Sequence, residues 1–90
     1  MTSFTGMDIQ AVRTLGNQMT AKAGEIRTLM GQLTTQLQNT PWVGPDREGF
    51  LGDWQGTHCQ QLNAVIGGLE DAARRANLNA QDQENVSNAG

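Results

Sequence analysis

The chain has 90 residues, a formal net charge of -3 and a single cysteine. That makes one domain at most, gives none of the electrostatic footprint of a nucleic-acid binder, and rules out a disulfide within the chain. One His and one Cys, adjacent at His58-Cys59, fall short of a closed metal site, so no metal or cofactor is expected. A chain this short buries only about 60–65% of its unfolded surface and is expected to draw stability from a second chain.

The opening stretch, "MTSFTGMDIQ", has neither a basic start nor the apolar run of a secretory signal peptide, so none is expected. Nowhere is there a run long enough to cross a bilayer, and no Lys/Arg-rich face marks a membrane-surface helix. Composition therefore predicts a soluble protein made in the cytoplasm, without stable membrane insertion.

The first half carries a helical period. Ile9, Val12, Gly16, Met19, Ala23, Ile26, Met30, Leu33 and Leu37 recur at alternating steps of three and four, the pattern of a helix packed along a seam. Leu15 and Leu29 widen the stripe, and Gly16 and Ala23 would let another helix approach closely. Arg13, Lys22, Glu25 and Arg27 fall mostly off it, as a solvated face should. Helix 1 is predicted over about 6–39. It stops where Thr40 precedes Pro41, because a residue before proline is pushed out of the α region.

A turn over 40–44 follows, and a restart. Gly44 suits the N-cap, and Pro45 the first helical position. Asp46 and Glu48 then place negative charge where the helix dipole favours it. So short a linker forces an antiparallel hairpin. Helix 2, over about 45–82, shows a broad face of Phe50, Leu51, Trp54, His58, Leu62, Val65, Leu69, Ala72 and Ala76. Glu70 with Arg74 and Asp71 with Arg75 are i,i+4 pairs. Gly67-Gly68 suggests a soft spot or a place of close packing. Beyond Ala76 the apolar content falls, and a flexible tail is predicted over 83–90.

The fold class is thus all-α, an antiparallel two-helix hairpin. The first helix carries a stripe wider than one partner helix can cover, so pairing with a second hairpin into a four-helix bundle is expected. The dimer seam would comprise Val12, Met19, Ile26, Met30, Leu33 and Leu37 with Leu62, Val65 and Leu69. No catalytic residues are expected. His58 and Cys59 are helix neighbours pointing about 100° apart, so His58 is assigned to the seam and Cys59 to a packed or half-exposed position. Gly44, Gly49 and Gly52 lack the Lys-Ser/Thr and the strand of a phosphate loop.

The aromatic residues are unevenly placed. Of two Trp, two Phe and no Tyr, Trp42, Phe50 and Trp54 lie within "PWVGPDREGFLGDW" at the chain's midpoint. Phe50 and Trp54 suit the first buried turns of helix 2. Trp42 lies in the turn, where a large apolar side chain is a natural partner anchor.

With Trp42-Val43-Gly44 between two helices of similar length, Thr-Pro before it, a helix start after it, and Phe50 and Trp54 beyond, the chain resembles the WXG (Trp-X-Gly) family. These are early secreted antigenic target-like substrates of type VII (ESX) secretion in actinobacteria and firmicutes. The resemblance runs from Phe4 to about Ser87. It implies a helical hairpin that pairs with itself or a paralogous WXG protein and is exported folded, without a cleavable signal peptide, to the extracellular space. It also implies a two-part export signal. One part is the turn, here Trp42 and Gly44. The other is a C-terminal arm with a Tyr or hydrophobic residue four before an acidic one, which would dock on the type VII secretion ATPase. This chain has no Tyr; its nearest match is Leu78-x-x-x-Asp82, and on a Tyr-dependent reading it supplies the turn and travels with a signal-bearing partner. Two other readings remain open on the residues: a membrane-perturbing secreted effector and a cytoplasmic helical adaptor.

Overall fold

A computed structural model describes the backbone of residues 8–89 and the side-chain surroundings of residues 8–86. Regular structure in that range is all helical, in an antiparallel hairpin. The first arm is α1, Ile9–Asn39. Asp8 is extended, and its carboxylate accepts a hydrogen bond from the Ala11 N–H at 3.0 Å, satisfying a donor that the first helical turn leaves without an intrahelical partner. This cap moves the helix start from the expected position near 6 to Ile9; positions 6 and 7 lie outside the described residues. At the other end Thr40 turns extended before Pro41, as the proline requires, and its hydroxyl donates to the Gln36 carbonyl at 2.6 Å.

The second arm starts as the sequence predicts. Gly44 is the N-cap, Pro45 opens α2 (Pro45–Asp53), and Asp46 and Glu48 occupy its first turn. One π-helical turn, Trp54–His58, then leads into α3, Cys59–Ala89. At about 1.5 Å per residue a helix from Pro45 to Ala89 is roughly 67 Å long, and the molecule measures 67 × 17 × 17 Å. The arm therefore runs past the expected end near 82, through most of the stretch assigned to a flexible tail.

The core between the arms is built from small residues. Gly16 and Ala23 of α1 meet Ile66, Ala73 and Ala80 of α3, all buried. Each set repeats at steps of seven, so one row of each helix faces the other. A Cβ on Gly16 would sit 3.0 Å from the Asn77 side-chain amide, so the Asn77 side chain lies in the space the glycine leaves open. Gly67 and Gly68, in contrast, are exposed, with nothing near the place a Cβ would take. They are not the close-packing point their pairing suggested.

The π turn corrects the expected inward face of the second arm. Gly44, Arg47, Leu51 and Trp54 turn partly inward at helical steps of three and four. The next inward residue is Cys59, five positions on, because the Cys59 N–H bonds the Trp54 carbonyl in an i→i+5 turn. An uninterrupted 3.6-residue period runs from Trp54 to His58 instead, and His58 is exposed. It also lands on Val65 and Ala72 where the buried positions are Ile66 and Ala73. The face predicted for the second helix is displaced by one residue beyond Trp54, except at Leu62, Leu69 and Ala76, which are half-buried beside the true row.

Candidate functional site

Two surfaces are built by this frame: one long flank of the hairpin, and its tip. The flank follows from where the charges go. Arg13 donates two hydrogen bonds to Glu84, at 2.9 and 3.1 Å, and Arg27 reaches Glu70 at 3.3 Å. Both arginines lie four positions after seam residues Ile9 and Ala23, and both glutamates four after Ile66 and Ala80. On a helix with 100° per residue that places them about 40° to one side of the seam. Hydrogen bonding and the charge of Arg13 hold the Glu84 carboxyl below its ordinary range, and Glu84 raises Arg13 in return. The two arginines therefore close one flank across the hairpin, where the sequence placed them on a solvated face. Glu70 is engaged by Arg27 rather than by its expected partner Arg74. Asp71 takes both Arg74 and the expected Arg75, the latter at 3.2 Å, and these pull its carboxyl below the usual range, the Arg74 hydrogen bond most strongly.

On the other flank the same geometry brings apolar side chains together. Val12, Met19, Ile26 and Leu33 lie three positions after the α1 seam row, about 60° to the opposite side; Leu15 and Leu29 lie further round. Leu62, Leu69 and Ala76 take the equivalent place on α3, with Val65, Ala72 and Val86 beyond them. Because the arms are antiparallel and their charged flanks coincide, their apolar flanks coincide too. They form one continuous surface on which Leu29 is 56% and Val65 51% exposed. The residues expected as a dimer seam therefore divide. Met30 and Leu37 belong to the row that faces the second arm and are half-buried there, while Val12, Met19, Ile26, Leu33, Leu62, Val65 and Leu69 line the open flank.

The tip holds the aromatic cluster. The Trp42 N–H bonds the Thr40 carbonyl at 2.8 Å, tightening the turn. Trp42 packs on Phe50 with ring centroids 5.7 Å apart and remains 37% exposed. Phe50, expected in the core or an interface, is itself about half exposed. Gly44 has φ 129° and ψ 178°, a region open in practice to glycine alone. Without it the chain could not pass from Trp42 into α2 by this route. Val43 projects from the turn at 95% exposure, and Arg47 lies half-buried beneath, 3.1 Å from Glu48. Thr40, Pro41, Trp42, Val43, Gly44, Arg47 and Glu48 together line a shallow open groove. Sequence reasoning named Trp42 and Gly44 but not Val43 or Arg47. The signal was available for Arg47, which stands four before Leu51 and seven before Trp54 on the inward side of the arm.

Trp54 is placed apart from the other two aromatics. Half-buried, its indole N–H donates across the hairpin to the Thr34 hydroxyl at 2.8 Å, and that hydroxyl donates to the Met30 carbonyl at 2.8 Å. Leu78 and Asp82 are both exposed, one helical turn apart on the outward side of α3. Cys59 is half-buried at the exit of the π turn. Among the described residues, no three His, Cys, Asp or Glu side chains gather as a metal site would need, and no helix is long and apolar enough to cross a membrane.

No family model matches the chain, and neither does any curated protein or solved structure.

Proposed function

We propose that this chain is a type VII (ESX) secretion substrate, a small helical protein–protein interaction module that is exported folded as a homo- or heterodimer, without a cleavable signal peptide. The observation that carries the reading is the turn: Trp42-Val43-Gly44 sits at the apex of the hairpin, with Gly44 in a conformation closed to other residues and Trp42 and Val43 presented to solvent. That is where the resemblance to the WXG family puts half of an export signal. The other half would be the outward pair Leu78 and Asp82, docking on the secretion ATPase as a helix enters a groove.

The open apolar flank supports the second part of the reading. Several half-exposed large apolar side chains in one strip are more than scattered surface residues, and strips of this kind mark interaction sites. A second hairpin, of this chain or of a paralogous WXG protein, would cover the strip and complete a four-helix bundle. The chemistry at hand is that of binding; the reading assigns no catalytic group. Export of a Trp42→Ala variant from a cell with an intact secretion machine tests the proposal. Export should fall at least about tenfold, with dimerisation retained. Undiminished export of a variant that still pairs would remove the role given to Trp42.

A further inference from the structure

The π turn interrupts the second arm, and among the described residues it sits beside the one side-chain hydrogen bond that ties the tip region to the opposite helix. Such turns insert a single extra residue into an α-helix and are frequent at functional sites. Here the extra residue lets two inward sets coexist: Leu51 and Trp54 before it, Cys59, Ile66, Ala73 and Ala80 after it. A regular helix could serve one set only. With α3 held by its seam, regularising the turn would rotate α2 by about 100°. Trp54 would leave Thr34, and Phe50 would swing from beneath Trp42.

We infer that Trp54 and Thr34 are positioning residues for the Trp42 turn: the Trp54–Thr34 hydrogen bond fixes the rotational phase of α2 against α1, and the π turn absorbs the resulting mismatch with α3. The Thr34 hydroxyl is suited to this because its own proton is committed to the Met30 carbonyl, which leaves its lone pairs aimed at the indole. The path to the recognition turn is short. Trp54 and Phe50 are one turn apart on the same arm, and Phe50 supports Trp42 at 5.7 Å. The importance of the tip for recognition rests on the proposed function; the phase argument does not.

Two deletions test the phase argument. Removing Gly56, exposed in the π turn with nothing near it, should convert five residues into a regular turn and keep both inward sets in place. Removing Gly68, equally exposed but beyond Ile66 in α3, should put one half of the arm out of phase whether or not the π turn regularises. The Gly56 deletion is expected to melt within a few degrees of the parent, and the Gly68 deletion more than about 10 °C lower. Equal losses would overturn the inference.

The positioning role is read from the indole N–H signals, of which there are two because the chain has two Trp. Thr34→Val, of similar shape but without the acceptor, should shift the Trp54 signal and speed its hydrogen exchange at least about tenfold, and should shift the Trp42 signal as well. Thr34→Ser should restore both. A Trp54 response with Trp42 unmoved would refute positioning of the turn, and so would a Trp42 shift that Ser fails to rescue. These readouts do not depend on export. If Trp42→Ala exports normally while the indole signals behave as stated, the secretion reading fails and the positioning stands.

Discussion

Along one flank of the hairpin Arg13 meets Glu84 and Arg27 meets Glu70, and the two arms finish each other's surface. Along the opposite flank Leu15, Leu29, Leu33, Val65 and Val86 stand half exposed or more among the described residues. The difference shows how the apolar residues are divided. The buried seam between the arms holds Gly16, Ala23, Ala73 and Ala80, and among the described residues Ile66 is the one large side chain fully buried there. Small residues let the helices come close, so contact between the arms rests on short-range packing. Many of the bulky residues, which carry most hydrophobic free energy per side chain, stand half exposed on the open flank instead.

The seam side of this comparison should break most easily. Ala73→Leu forces a large side chain between helices that approach too closely to hold it, and overpacking of this kind costs about 1–3 kcal/mol. Thermal unfolding followed by circular dichroism should show the midpoint falling by roughly 4–8 °C for each kcal/mol lost. The mirror experiment on the open flank should leave secondary structure intact. Leu29→Lys with Val65→Lys replaces groups that are half exposed and outside the buried row, so helix content should hold while self-association or pairing weakens at least about tenfold by analytical ultracentrifugation. A loss of helicity as large as that of Ala73→Leu would mean that the two flanks are not distinct.

At the tip, Gly44→Ala puts a Cβ into a conformation that non-glycine residues avoid. It is expected to cost about 1–3 kcal/mol and to displace the Trp42 indole signal while the seam stays formed. The smallest effect belongs to the charged flank. The Glu84 carboxyl titrates below its ordinary value of 4.5 in the folded chain. Its contribution is therefore present above that value and lost as pH falls through the lower folded value. Between neutral pH and pH 5 stability should hold steady in this respect, and Glu84→Gln should flatten part of the decline below it. A variant losing stability as steeply as the parent would leave Arg13–Glu84 with no energetic part in closing the flank.

Much of this frame was legible in the residues, and the rest was hidden for identifiable reasons. Thr40-Pro41 and Gly44-Pro45 fix a helix end and a helix start through backbone sterics alone, so the hairpin and its turn could be placed to within a residue. The spacing of Gly16 and Ala23 announced close approach, and α3 is the helix that approaches. The partner row was missed because Ala73 and Ala80 carry little hydrophobic signal, and because a 3.6-residue period carried through Trp54–His58 falls one position out of step. That turn has no local signature; it arises from the competing demands of Leu51 and Trp54 on one side and the α3 seam on the other. The ion pairs across the hairpin were equally out of reach, since local spacing favours Glu70 with Arg74, and only the antiparallel register brings Arg27 to Glu70. Asp8 was a signal passed over: an Asp directly before an apolar-periodic run is a strong N-cap.

The central claim is that the open flank is an interface and the closed flank is not. The most direct test is the mass of the purified protein in solution, measured over a range of concentrations alone and with a candidate partner of the kind the proposed function calls for. The account predicts twice the chain mass in one of those conditions, reverting to a single chain when Leu29 and Val65 are replaced by Lys. A single chain under both conditions at every concentration would contradict it.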